Sequence, residues 1–283
     1  MTASGAASPG RGAASPQRWA SDLGAWAIPD EILARAPESP WGFPVEPFRA
    51  RAERSAGEAA ASLSARRALE ALPERGSVLD VGSGAGAASL ALVPWAGFVT
   101  AFDPSERMLA AFEELASAAG VERRAVRGSW PDDAASAGEA DVVVCHHVVY
   151  NAPDLVGFAR ALDDHAGRRV VIEMTARHPR AWMNELWMRF HSLERPDGPT
   201  SDDAFEVLRG AGFDVRREDW LLPRNGVGPR EDAVASARRM LCLTADRDAE
   251  LADALGDHLW SDDDGRWFIG NREQPVTTLW WDR

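Results

Sequence analysis

The stretch VLDVGSGAGAASLAL, residues 78–92, constrains the fold more than any other part of the chain. An apolar run holds one acid, Asp80, and leads into glycines at alternate positions, Gly82, Gly84 and Gly86; an Ala/Leu-rich segment of helical composition follows. Glycine allows a left-handed backbone and lets main chain come close to a ligand. The free N–H groups at the start of the next helix would point into the same space. Such a junction predicts the first β/α unit of an α/β sheet, with a ligand crevice beyond the carboxyl ends of the strands.

The remaining sequence continues the alternation. Strands are predicted at 77–81, 98–102, 123–128, 141–147, 168–174, 213–222, 266–270 and 276–283. Helices are predicted over 85–93, 105–120, 153–165, 179–192, 202–211 and 230–260. The expected class is therefore α/β: a doubly wound, mostly parallel seven-stranded sheet with helices on both faces. The two late strands, 213–222 and 276–283, are expected to pair as an antiparallel hairpin at one edge, making the C-terminal strand antiparallel. Ahead of the sheet, 46–72 reads as one long helix, and the Trp- and Pro-rich residues 19–48 read as short helices and turns packed over something. Residues 1–17, rich in Ala, Ser, Gly and Pro, read as a disordered tail. The expected division is thus a tail at 1–17, a helical N-terminal substrate cap at 18–73, and a Rossmann-like domain at 74–283 with a helical insertion at about 223–265.

Charge narrows the partners. Acids number 44 against 31 basic residues, all Arg, for a net charge of −13. Gripping a phosphate backbone runs on clustered positive charge, so the expected partner is a small molecule rather than nucleic acid. An Arg-lined pocket for an acidic small molecule stays compatible with that balance. Cys145 and Cys242 are far apart and in apolar surroundings, which suits two reduced buried thiols. No long uncharged apolar run is present, so no membrane span is expected and a cytoplasmic location is.

Gly82 to Ala87 also fits the dinucleotide pattern G-x-G-x-x-G/A, and Asp103 at the end of the next strand is placed for ribose hydroxyls. Two nucleotide readings compete, and Asp80 separates them. A carboxylate just before the glycines repels a pyrophosphate but suits a cofactor with a cationic centre and an ammonium group.

At this point the sequence resembles the class I S-adenosylmethionine-dependent methyltransferases over roughly 74–283. VLDVGSGAG resembles that family's first motif, VTAFDPSERML its second, RGSWPD its adenine-binding loop, and ADVVVCHHVVYNAPDL its fourth strand and following loop. The resemblance implies S-adenosylmethionine as cofactor, with Asp80, Gly82, Ser83 and Gly84 at its methionine end. Asp103 would hold the ribose, Pro104 and Met108 would lie against the adenine, and Ser129 and Trp130 along its edge. Ser129 stands where the family often carries an acid.

Methyl transfer from a sulfonium needs alignment, exclusion of water and, for a hydroxyl or similar acceptor, a base. The candidates are His146, His147, Tyr150, Asn151 and Glu173. His146 and His147 should face opposite ways on a strand, with His146 lining the cofactor side and Tyr150 the substrate side; both are candidate catalytic residues. A buried Glu173 needs a partner, and Arg177 is the nearest in sequence. Asp163, Asp164 and Glu173 are not spaced as the family's metal site, so no metal is expected. Trp residues at 19, 26, 41, 182, 187, 260 and 267 should converge over the carboxyl edge of the sheet. The alternative functions are an NAD(P)-dependent oxidoreductase, a binding protein that holds S-adenosylmethionine without catalysis, and a methyltransferase acting on RNA or protein.

Overall fold

Successive side chains of the central strands, buried almost throughout, alternate between two clusters, so each face of the sheet has its own core. Leu79 and Val81, Val143 and Cys145, and Val170 and Ile172 pack into one cluster; Val78, Val142, Val144 and Val171 pack into the other. A period of two is what a pleated strand imposes. Asp80, His146 and Glu173 therefore share the second face, and register puts them side by side: Asp80 pairs with Val144, and His146 with Glu173. The protein is described here from a computed structural model covering residues 13–42, 44–58, 62–224, 226 and 228–283.

The strands are β1 (Gly76–Val81), β2 (Ala96–Asp103), β3 (Glu122–Arg127), β4 (Ala140–His146), β5 (Ala166–Thr175), β6 (Arg216–Leu222), β7 (Leu259–Ser261), β8 (Trp267–Ile269) and β9 (Gln274–Asp282). Seven of them form one sheet in the order β3-β2-β1-β4-β5-β9-β6. β1 to β5 run parallel, while β9 is antiparallel to both β5 and β6. The two late strands do pair, but β9 enters the sheet between β5 and β6, and β6 is the edge. Their composition explains this. The VTTLWW core of β9 is buried on both faces, whereas the RRED start of β6 carries charges suited to an exposed edge. The 266–270 strand joins β7 in a separate hairpin, β7-β8.

Helices flank the sheet: α1 (Pro16–Gly24), α2 (Asp30–Leu33), α3 (Val45–Ser55), α4 (Leu63–Leu69), α5 (Ala87–Leu90), α6 (Glu106–Ala118), α7 (Leu155–Asp164), α8 (Asn184–His191), α9 (Ser201–Gly210), α10 (Arg230–Met240) and α11 (Asp248–Leu255). Three expectations change. The tail does not reach residue 17, because Ser15 caps α1 by accepting from the Arg18 N–H, and Pro16 suits a first helical position; residues 1–12 lie outside the description. The long helix at 46–72 is two helices. Gly57 turns left-handed after α3, its N–H donating to Leu90 O, and Ser62 caps α4 afresh. The 230–260 helix also divides, with Cys242 left-handed between α10 and α11.

A third cluster lies apart from the two sheet cores. Ile28 and Ile32 from the N-terminal segment meet Met183, Leu186 and Trp187 from α8 and its approach, and Val234, Leu241, Leu251 and Ile269 from the late insertion. The expected convergence of these three regions occurs, with Trp182 and Trp267 at its margin. Trp19 departs from it: it is buried against the α7 face, and its Nε1 donates to Ala152 O at 2.7 Å. No helix among the described residues is long and apolar enough to cross a membrane.

Candidate cofactor and acceptor site

At the tip of β1 the chain turns through three left-handed glycines, Gly82, Gly84 and Gly86. Gly82 has the stricter requirement: a Cβ there would sit 2.3 Å from Val148 Cγ2. The Gly82 and Ser83 N–H groups both donate to Phe102 O, pinning the loop to β2. Asp103 completes the tie. One carboxylate oxygen accepts from the Gly84 N–H at 2.9 Å and the other from the Ser105 N–H at 2.8 Å. Each oxygen keeps a further lone pair, so the carboxylate can take a ribose diol while holding the loop. Burial raises its pKa above the ordinary value.

Asp80 is held differently from a simple open ligand. It is almost wholly buried, and Oδ2 accepts from both the N–H and the hydroxyl of Ser89, at 3.1 and 2.7 Å. Ser89 on α5 is thus the clamp that sequence reading missed. Burial, opposed by the Ser89 hydrogen bonds and reinforced by Asp103, pushes Asp80 up to about 6. In the unfolded chain an aspartate ionises near 4. Between those values the folded state holds more protons, so this group's effect is a loss of stability as pH rises from about 4 to 6. The expected outcome is that Asp80→Asn stabilises the cofactor-free protein at pH 7 by about 1–3 kcal/mol in urea unfolding, with the gain over wild type vanishing at pH 4. An unchanged midpoint at pH 7 would contradict the burial cost.

The predicted adenine contacts are distributed unevenly. Pro104 is exposed beside Asp103, and Met108 is buried one turn into α6, whose cap is Ser105. Ser129 is exposed, and its N–H donates to Asp133 Oδ2 at 2.8 Å. Trp130 does not lie open along the edge. Its indole packs against Phe102, Phe158 and His165, with ring centroids 5.4, 6.5 and 5.1 Å away.

Beyond β4 and β5, the expectation that the two histidines face opposite ways is corrected. β4 ends at His146, and His147 turns left-handed with its N–H donating to Glu173 O. Strand alternation therefore stops one residue early, and both rings reach the same carboxylate. His147 Nε2 is 2.9 Å from Glu173 Oε1, and His146 Nδ1 is 3.9 Å from Oε2. The cation partner of Glu173 is not Arg177. It is Arg51 on α3, whose Nη2 lies 3.6 Å from Oε1 and 3.3 Å from His147 Nε2. Burial opposes ionisation of Glu173, but its contacts with His147 and Arg51 hold its pKa below the usual carboxylate range. Burial pushes His146 down to about 4, so its imidazole is neutral at pH 7. Its Nε2 is buried with no hydrogen-bond partner among the described residues. Arg51 was hard to find in the sequence because it comes from a helix far upstream; no local motif marks it. The same helix lays Phe48 over the glycine loop, 3.5 Å from where a Gly84 Cβ would be.

Tyr150 is committed elsewhere. Its hydroxyl accepts from the Thr175 N–H and shares a hydrogen bond with the Thr175 hydroxyl, and burial raises its pKa. Neighbouring Asn151 is exposed.

A family model described as a methyltransferase domain matches residues 78–166, from β1 to the start of β5. No curated protein matches the chain. Among solved structures, a proposed methyltransferase from Bacillus halodurans C-125 is similar at 18% identity and a TM-score of 0.51, covering 77% of this chain and 96% of that one. The YcgJ protein of Bacillus subtilis is similar at 16% identity and a TM-score of 0.50, covering 78% and 97%. Residues 78–166 thus match a methyltransferase domain, carried on the α/β sheet whose fold the solved neighbours share.

Proposed function

We propose that this protein transfers a methyl group from S-adenosylmethionine to a hydroxyl-bearing small molecule, with His146 as the proton acceptor. The observation that carries the acceptor half is the buried, unpartnered Nε2 of a neutral His146 beside Glu173 at the carboxyl edge of the sheet. The cofactor half rests on the β1 loop. Asp103 has lone pairs to spare, and Gly82 and Gly84 beside it are left-handed and only half-buried.

The residues present suit the cofactor in charge. Asp80 and Asp103 give the crevice a negative potential that favours a sulfonium and an ammonium and opposes a pyrophosphate. Asp103 would hold the ribose, Met108 and Pro104 would support the adenine, and the loop at Gly82, Ser83 and Gly84 would take the amino-acid end. When bound, S-adenosylmethionine supplies an electrophilic methyl on a sulfonium. The protein's own work is to align an acceptor with that methyl, exclude water and remove a proton. A hydroxyl oxygen becomes strongly acidic as it gains a methyl, so an imidazole of lowered pKa is still basic enough to take the proton. Glu173, with its charge 3.9 Å from Nδ1, favours a proton on that nitrogen over Nε2 and stabilises the imidazolium that forms. Arg51 and His147 keep Glu173 ionised.

The test is release of S-adenosylhomocysteine from methyl-labelled cofactor in the presence of a panel of phenols, alcohols and amines. Label transferred to oxygen is the expected result. Label on nitrogen alone overturns the choice of acceptor atom. Binding of S-adenosylhomocysteine with no transfer to any acceptor would favour a silent binding protein.

A further inference from the structure

Beyond the end of β5, two arginines are buried without an acid. Arg180 and Arg195 are only 8% and 6% exposed. Arg180 Nη2 donates to Pro40 O at 3.0 Å; Arg195 Nη1 and Nη2 donate to Ala27 O and Trp26 O at 2.9 and 2.7 Å. These acceptors are neutral carbonyls and cancel no charge. Arg180 Nη1 and Arg195 Nε are buried with no acceptor among the described residues. No carboxylate among the described residues lies against either guanidinium, and the residues outside the description include no Asp or Glu. In a chain where acids outnumber arginines 44 to 31, that is a selective omission.

The walls are aromatic. Arg180 stands over Trp41 at 4.2 Å from the ring centroid, and Arg195 lies 5.2 Å from Trp26 and 4.8 Å from Trp187. The place connects to the reaction edge by direct contacts. Trp26 stacks on His178 at 3.7 Å, His178 meets Tyr150 edge-on at 5.5 Å, and Tyr150 is hydrogen-bonded to Thr175 at the end of β5. His146 and Glu173 occupy the neighbouring strand ends. Burial, together with Arg180 and Arg195, lowers the pKa of His178 to about 3, so it adds no third cation at neutral pH.

We propose that Arg180 and Arg195 anchor a carboxylate of the acceptor substrate, between tryptophans 26, 41 and 187. The inference rests on the methyl-transfer reading and names its substrate class: an aromatic or otherwise flat carboxylic acid with a methylatable group. Guanidinium suits this task because its planar fork matches a carboxylate and its face stacks on indole.

The experiment saturates the protein with S-adenosylhomocysteine. Benzoate and indole-3-carboxylate are then titrated against benzamide and indole-3-carboxamide, with quenching of tryptophan fluorescence as the readout. At least one carboxylate is expected to saturate at least about tenfold more tightly than its amide, since hydrogen bonds to charged groups are the stronger ones. Arg180→Gln and Arg195→Gln should erase that preference, while Arg180→Lys should keep part of it. Circular dichroism checks that each variant folds. Should the glutamine variants not fold, the wild-type ratio of carboxylate to amide binding, and its decline with added sodium chloride, decides the matter. Neither carboxylate binding more tightly than its amide overturns the inference, as does an undiminished preference in folded variants. S-adenosylhomocysteine binding without a carboxylate preference defeats only this inference; no S-adenosylhomocysteine binding by the wild type defeats the cofactor reading beneath it.

Discussion

Replacing His146 by alanine is expected to lower kcat by about 100- to 1,000-fold, the usual weight of a positioned general base, while the Kd for S-adenosylhomocysteine stays within about twofold. The asymmetry follows from the geometry. His146 sits at the last position of β4, paired in register with Glu173, and its Nε2 makes no hydrogen bond among the described residues. None of the loop contacts to Gly82, Ser83 or Gly84 passes through it. A base acts on the acceptor, so its loss should show in turnover and not in cofactor affinity. Glu173→Gln should follow the same pattern, since it removes the charge that orients the imidazole while conserving its size. If His146 merely packs the strand end, turnover and cofactor affinity will fall together with stability, or neither will change. Initial rates and calorimetric affinities on the same preparation separate these outcomes.

The second large effect belongs to Asp103. Asp103→Ala should weaken S-adenosylhomocysteine binding roughly 100-fold, because two hydrogen bonds from ribose hydroxyls to a carboxylate are worth together about 3 kcal/mol. The same carboxylate accepts from the Gly84 and Ser105 N–H groups, so alanine also loosens the loop from β2 and α6. Asp103→Asn keeps the shape and one acceptor oxygen and should lie between the two. The affinity of a ligand lacking ribose hydroxyls discriminates the contributions. A 2′,3′-dideoxy analogue should bind wild type and Asp103→Ala about equally if the diol is what Asp103 holds. Unchanged affinity for the full ligand in Asp103→Ala would remove the residue from the site.

The parts of this site that were legible in the sequence are those set by local backbone demands. Asp80, the three glycines and Asp103 lie within one β/α/β stretch, where a turn that only glycine tolerates is followed by a strand that must end at the same edge. The sheet class was legible for a similar reason, since apolar alternation and helix period report directly on burial. What could not be read were contacts made across the chain. Arg51 reaches Glu173 from α3, more than a hundred residues upstream, and nothing in its own segment distinguishes it from Arg49 or Arg54. His147 joins the same carboxylate because its backbone turns left-handed, a conformation that histidine seldom adopts and that composition does not announce. The insertion of β9 between β5 and β6 agrees with its VTTLWW run and with the charged RRED of β6, but the pairing itself is a tertiary contact that a hairpin reading of two consecutive strands does not give. Ser89 was overlooked because a serine in a short helix is ordinary until its hydroxyl is seen on Asp80. The buried arginines were invisible for the opposite reason: what sets them apart is the absence of an acid nearby, which only the assembled fold reveals.

The central claim is that a strand tip carrying Asp80, left-handed glycines and Asp103 accepts a cationic adenosyl donor and rejects a pyrophosphate. Isothermal titration of the folded protein with S-adenosylmethionine, S-adenosylhomocysteine, NADH and NADPH tests it directly. Saturable heats for the first two and none for the dinucleotides are predicted, with a matching rise in thermal stability equivalent to about 2.7 kcal/mol at a hundred times Kd. Saturable binding of a dinucleotide, with no response to either adenosyl compound, would contradict it.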